Sequence, residues 1–414
     1  MTHVIGLRCV LCGREEPPES GRMVCARCGD DGTLDVEYDL GEARRALTRE
    51  SLDADRDRSI WRYRALLPVS GGEARLPLRV GGTPLVSAER LARALGLGAL
   101  HVKDDGRMPS ASLKDRASAV AVALAAEAGA RAVACASTGN AASSLATLSA
   151  AAGMRSVIFL PEAAPLAKLA QLLAHGADLV RVRAGYDTAF DLAARATVEH
   201  GFYPRNTGTN PYLSEGKKTV ALEIAEDMRG HAPDRVYVGA GDGCIFGSLY
   251  KGFREMVAIG LLDRVPALVG VQAEGAAPLA RAFVSGGRPE PIEPSTIADS
   301  ISVGRPRDWA KALRAARASG GAIRTVADAE IIDAVRVLAR EAGIFAEPAG
   351  AAGFAGLVAD RREGRCPEGA AAVVIVTGSG LKDPGAVARF AAAPEPIAPE
   401  TRAVETRLAE LGLA

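Results

Sequence analysis

Aromatic side chains make up only 4% of this 414-residue chain, and net charge is absent: 50 Lys and Arg stand against 50 Asp and Glu. The first shortage argues against an aromatic-lined binding surface as the main design. The second, with no basic block anywhere, excludes an electrostatic platform for nucleic acid or for a membrane surface. Charges or glycines break every apolar run before it reaches bilayer length, so no membrane span is expected. The opening "MTHVIGLRCVLCG" lacks the basic segment and apolar core of a secretory signal, and a cytoplasmic protein is expected. Seven cysteines, an odd number in a chain without such a signal, argue against a disulfide framework. The five histidines (3, 101, 175, 200, 231) show no metalloprotease spacing, and no G-x-S-x-G elbow marks a hydrolase.

What is present begins with four grouped cysteines. Cys9 and Cys12 form one C-x2-C knuckle, Cys25 and Cys28 another, with twelve residues between them. Gly13 and Gly29 follow the knuckles and permit the tight turn each needs. Four thiolates suit tetrahedral Zn²⁺, and a closed set of four leaves no open position for catalysis, so a structural zinc ribbon is expected over 1–40.

Residues 41–75 are charged and read as a helical linker. Beyond about residue 80, β-branched runs alternate with alanine-rich stretches of helical length. "ARAVACAS", "MRSVIFLP", "ADLVRVRA", "DRVYVGAG", "ALVGVQAE" and "AAVVIVTG" read as buried strands; 115–128, 140–152, 165–175 and 186–200 read as helices. Such alternation predicts α/β architecture with parallel sheets covered on both faces. A Pro/Ala linker leads to a short amphipathic C-terminal helix carrying Val404, Leu408 and Leu411.

In α/β folds, functional residues collect where strands end and helices begin. Four loops meet that rule. "SASLKDRAS" sets Lys114 at a helix start, where the dipole lowers an amine's proton affinity; the same lysine read alone is a surface charge. Ser137, Thr138, Gly139 and Asn140 offer backbone N–H groups to a carboxylate and an amide to a ring oxygen, and they are also ordinary helix caps. Gly239, Gly241 and Gly243, with Asp242 and Cys244, form a backbone cup suited to phosphate. Cys244 stands where a dinucleotide fingerprint requires its last glycine, so a single phosphate fits better than a dinucleotide. Thr377 ends a strand, as a turn cap or as a hydroxyl for a heterocyclic nitrogen. An amine, an asparagine, a phosphate cup and a strand-end hydroxyl together match the aldehyde, ring oxygen, phosphate and ring nitrogen of pyridoxal 5'-phosphate.

At this point the sequence resembles the threonine synthase family of fold-type II pyridoxal-phosphate enzymes. The collinear segments are the cysteine ribbon ending in "VEYDL", "GGTPL" (81–85), "KDDGRMPSASLKDRAS" (103–118), "ASTGNAASSLA" (136–146), "NPYLSEGKKTVALEIAED" (210–227), "GVQAEGAAPLARAF" (270–283), "EPAGAAGFAGL" (347–357) and "TGSGLKD" (377–383). The resemblance implies a tryptophan synthase β-like fold with two three-layer domains. A small mobile domain would span about 102–205, a large one would be built from the end of the 41–101 segment and from 206–395, and 396–414 would form a C-terminal linker and helix. It further implies Lys114 as the Schiff-base lysine and acid/base, Asn140 at the ring oxygen, Gly239 to Cys244 around the phosphate, and Thr377 at the ring nitrogen. Ser137, Thr138 and Gly139 would cradle the substrate carboxylate. The implied reaction turns O-phospho-L-homoserine and water into L-threonine and phosphate, in a homodimer.

Three departures stand out. Leu213 occupies the position of an arginine that clamps substrate phosphate in the family, leaving Lys217, Lys218, Arg205 or Ser214 to compensate. Gly350 replaces the more usual serine, and the cup lacks the family's asparagine. Leu213 keeps a second expectation open: β- or γ-replacement or elimination on a different activated amino acid.

Overall fold

In a computed structural model the described residues are 3–18, 21–71, 76–388 and 393–413; residues 72–75, the end of the expected helical linker, lie outside them. Fourteen strands are present among the described residues: β1 (Val4–Cys9), β2 (Glu15–Glu16), β3 (Val24–Cys25), β4 (Gly29–Tyr38), β5 (Leu85–Ser87), β6 (Ala99–Asp104), β7 (Val133–Ala136), β8 (Ser156–Pro161), β9 (Asp178–Val182), β10 (Tyr203–Pro204), β11 (Arg235–Gly239), β12 (Ala267–Ala273), β13 (Ala322–Val326) and β14 (Ala371–Val376). They form three sheets, ordered β2-β1-β4-β3, β10-β7-β8-β9 and β13-β12-β11-β14-β6-β5.

The first sheet is antiparallel and carries the four cysteines. The second is parallel throughout. The third is parallel except at its edge, where β5 runs against β6. All six expected strands occur, as β7, β8, β9, β11, β12 and β14. β6 escapes the sequence pattern because it carries buried charge: Lys103 is fully buried and meets Glu223 at 2.9 Å and Asp227 at 2.8 Å. β10, two residues long, is too short to stand out, and β13 is interrupted by the polar pair Arg324 and Thr325.

The helix Lys114–Glu127 has its side chains buried from Asp115 to Ala123 without a break. A helix apolar on every side belongs in an interior, and its alanines let neighbours come close. At Gly216, in the helix Tyr212–Asp227, a Cβ would lie 2.0 Å from the Arg116 carbonyl oxygen, so no larger residue fits this crossing.

Two buried ion networks hold the helix Tyr212–Asp227 on its two sides. Arg116 forms ion pairs with Asp105 at 2.7 Å and Glu223 at 2.6 Å. On the far side, Lys218 meets Glu255 at 2.6 Å and Lys251 meets Glu215 at 3.0 Å. The Tyr38 ring, at the end of the cysteine sheet, lies 4.1 Å from the Lys218 ammonium. Asp35 of β4 bonds Lys311 at 3.3 Å and also Arg314, which docks the cysteine sheet on the helix Trp309–Ala318.

Candidate active site

A cavity of about 910 Å³ opens between the second and third sheets, and the ends of β7, β11 and β14 all reach it. It is lined by Lys114, Ser137, Thr138, Gly139, Asn140, Lys217, Thr377 and the whole stretch from Gly239 to Cys244. Residues from five loops and helices therefore meet in one place.

Lys114 is the first residue of its helix. The preceding turn is fixed at three points: Leu113 N–H donates to the Thr377 carbonyl at 2.9 Å, Ser112 bridges Gly378, and Asp115 accepts from Ser110 N–H at 2.7 Å. The amine's pKa is held down to about 8. Burial is the largest cause, followed by the Lys217 and Arg205 cations, while Glu347 and Cys244 oppose the shift. The helix dipole invoked from sequence is thus not what the surroundings of this amine emphasise.

The phosphate cup follows β11. At Gly239 a Cβ would lie 2.5 Å from the Ala349 carbonyl oxygen; Gly243 has φ +91° and would place a Cβ 2.9 Å from the Asp308 carbonyl oxygen. Side chains are excluded at both positions, so backbone lines the cup. The helix Cys244–Ala258 starts there and aims its free N–H groups at the same space. Asp242 is held through Oδ1 by the Arg307 N–H at 2.7 Å, while Oδ2 has no hydrogen-bond partner. Burial and the neighbouring Asp308 raise its pKa. This cradle fits a phosphate.

Asn140 opens the helix Asn140–Ala151, and its amide donates to Ser300 Oγ and to both carboxylate oxygens of Glu347, each at 3.0 Å. Glu347 is 4% exposed, and burial raises its pKa despite the Asn140 bond and the Lys114 charge. Sequence reasoning quoted "EPAGAAG" but passed over its acid. The available signal was an acid directly before Pro348, at the start of a helix. Gly350 is explained nearby: a Cβ there would press on the Gly378 carbonyl oxygen at 3.0 Å.

The two neighbouring lysines part company. Lys217 faces the cavity, donating to Cys244 Sγ at 2.8 Å and Thr207 Oγ1 at 3.4 Å. Lys218, expected beside the substrate, points away into the Glu215–Glu255 network and is not part of the cavity wall. Leu213 is not in the wall either; it is fully buried against Ala117 and Ala121. Ser214 is buried with Oγ 3.5 Å from Cys244 Sγ. Arg205 lines the cavity, braced by Ser118 Oγ at 2.9 Å and the Lys114 carbonyl at 3.3 Å.

Cys9, Cys12, Cys25 and Cys28 place their sulfurs within 4.8 Å of one another, far from this cavity in sequence. The Cys12 and Cys25 sulfurs are 3.7 Å apart, close to the roughly 3.8 Å separation that bonds of ~2.3 Å at tetrahedral angles produce. The donor set fits zinc.

A family described as "Pyridoxal-phosphate dependent enzyme" matches residues 76–378. The chain is 39% identical over 395 residues to a threonine synthase of Methanocaldococcus jannaschii, covering 94% of this chain and 95% of that protein. It is 40% identical over 382 residues to a threonine synthase of Methanosarcina acetivorans, covering 91% and 92%. Among solved structures, a processed threonine deaminase isoform 2 from Solanum lycopersicum superposes with a TM-score of 0.64 at 22% identity, covering 75% of this chain and 88% of that one. At that identity the likeness is one of fold.

Proposed function

The chain belongs to the pyridoxal-phosphate-dependent enzymes and, within them, to the threonine synthase family of lyases, and from that premise we propose that it converts O-phospho-L-homoserine and water to L-threonine and phosphate. The observation that carries the reading is the Lys114 amine, with its pKa near 8, opening into the same cavity as the phosphate cup, Asn140 and Thr377.

When bound, pyridoxal phosphate supplies an electron sink for negative charge developing next to the substrate nitrogen. Lys114 is the residue to bind the cofactor aldehyde. Once released by the substrate amine, it would take the Cα proton. After a Cβ proton and the Cγ phosphate have left, it would return a proton at Cγ and, once water has added at Cβ, one at Cα, a task suited to an amine that titrates near the working pH. The Ser137–Gly139 turn offers N–H groups at a helix start to the substrate carboxylate. Thr377 places a hydroxyl, not a carboxylate, for the ring nitrogen, which favours elimination and replacement over transamination. Glu347 positions Asn140 for the ring oxygen.

Phosphate release and threonine formation from O-phospho-L-homoserine test this directly. No phosphate at saturating substrate, with cofactor bound, would sink it in favour of the second reading: β- or γ-replacement or elimination on another activated amino acid. Leu213, packed on Ala117 and Ala121, favours that second reading because the family's clamping cation is missing there. We further read the four thiols as a structural Zn²⁺ site and the protein as cytoplasmic and, on resemblance alone, 102–205 as the mobile lobe and the protein as a homodimer. Among the described residues no helix is long and apolar enough to cross a membrane.

A further inference from the structure

We infer that the Lys217 ammonium is a charged member of the cofactor-phosphate site and not part of the substrate-phosphate clamp. The inference rests on the cofactor reading above.

Lys217 is 1% exposed and reaches the cavity wall. Its two hydrogen-bond acceptors, the Cys244 thiol at 2.8 Å and the Thr207 hydroxyl at 3.4 Å, are both neutral groups. Burial keeps the Cys244 pKa above its ordinary value even with this ammonium beside it, so the sulfur carries a proton at neutral pH. A buried ammonium whose hydrogen bonds go only to neutral groups is costly. Here it also sits against the first residue of the helix Cys244–Ala258, where the dipole opposes positive charge. Both penalties reverse when a dianion enters the cup, because the N–H groups and the ammonium then act on the same oxygens.

Position decides which phosphate this is. The Lys217 Nζ lies 2.8 Å from the sulfur of Cys244, the residue that closes the cup and opens its helix, and it lines the same cavity as Lys114. The cup otherwise holds buried acid, Asp242 with Asp308 next to it, so the dianion needs a compensating cation. Arg205, Arg305 and Arg307 also line the cavity.

The experiment uses full-length protein stripped of cofactor and titrated with pyridoxal 5'-phosphate and, separately, with pyridoxal, followed by visible absorbance. Lys217→Gln is expected to weaken pyridoxal phosphate by about ten- to a hundredfold and to leave pyridoxal unchanged. Lys217→Arg is expected to restore most of the loss. Inorganic phosphate should compete with the cofactor in wild type and less so in Lys217→Gln. Equal weakening of both aldehydes would assign Lys217 a merely structural role and overturn the inference. So would unchanged cofactor affinity with a raised KM for the phosphorylated amino acid, which would give the ammonium to the substrate. Failure of the wild type to bind either aldehyde would instead remove the cofactor reading, and this inference with it.

Discussion

Replacing Arg116 by methionine tests why the cavity-lining Lys114 is held where it is. Arg116 is fully buried two residues beyond Lys114, and all five of its N–H donors are engaged. It grips Asp105 through Nε at 2.7 Å and a terminal nitrogen at 2.9 Å, and Glu223 at 2.6 and 2.9 Å, with Thr219 Oγ1 at 2.9 Å. In Arg116→Met, Glu223 keeps Lys103 at 2.9 Å and the Gly82 N–H at 3.0 Å. Asp105 keeps only the Thr83 hydroxyl among its side-chain donors, at 2.7 Å. An uncompensated buried carboxylate costs about 3–5 kcal/mol. With an unfolding entropy of about 2.1 cal/mol/K per residue over this chain, that is a drop of roughly 3–6 °C if it unfolds as one unit. Removing the stranded charge as well, in Asp105→Asn with Arg116→Met, is expected to recover at least half of the loss. Thermal and urea denaturation of the cofactor-free protein provide the readout. The pH dependence has a definite sign. Burial pushes the Glu223 carboxyl up, but Arg116 and Lys103 outweigh it and hold it well below the usual range. The stability it contributes is present above its ordinary pKa of 4.5 and is lost as pH falls toward the folded value, so wild type and variant converge in acid. A single variant less than about 1 kcal/mol weaker, or a double variant worse than either single, would refute the account.

Four further outcomes are expected. Trapping of an aldehyde by Lys114, read as borohydride-stable labelling, should rise with pH and level off above about 8, well before its ordinary 10.5, and should vanish in Lys114→Ala. Between those two values the unfolded chain holds a proton that the folded chain lacks, so cofactor-free stability should rise across the window; a profile identical to that of Lys114→Ala would contradict this. Leu213→Ala should destabilise by about 2–5 kcal/mol while leaving KM for an amino-acid substrate unchanged, and a raised KM with unaltered melting would show that the side chain faces the site after all. Purified protein should carry one zinc per chain, and Cys25→Ser should lose the metal and lower the melting temperature; retained metal in that variant would remove Cys25 from the ligand set.

Much of the site was legible because each of its loops follows a strand and opens a helix, a pattern that local residues declare. Lys114, Asn140, the glycine cup and Thr377 were all found that way, and the structure places them around one cavity. Glu347 was not, because its partner Asn140 lies 207 residues away and nothing in "EPAGAAG" says that the acid turns inward. Leu213 was read by what the resembling family carries there; only the fold shows that its side chain packs against Ala117 and Ala121 of the helix Lys114–Glu127 and not in the cavity wall.

The chain's own pattern determined the alternation of strand and helix, the four-thiol knuckles, and the kinds of chemical group at each strand end, since these depend on neighbours a few residues apart. Tertiary structure decided which of two adjacent lysines faces the cavity. On a helix successive side chains diverge by about 100°, and Leu213 to Ala225 are buried without a break, so no apolar stripe marks an inner face. Packing alone sent Lys218 to Glu215 and Glu255 and left Lys217 beside the cup. Packing also set the Lys114 pKa, because the burial and the two cations responsible come from segments that meet only in the folded chain.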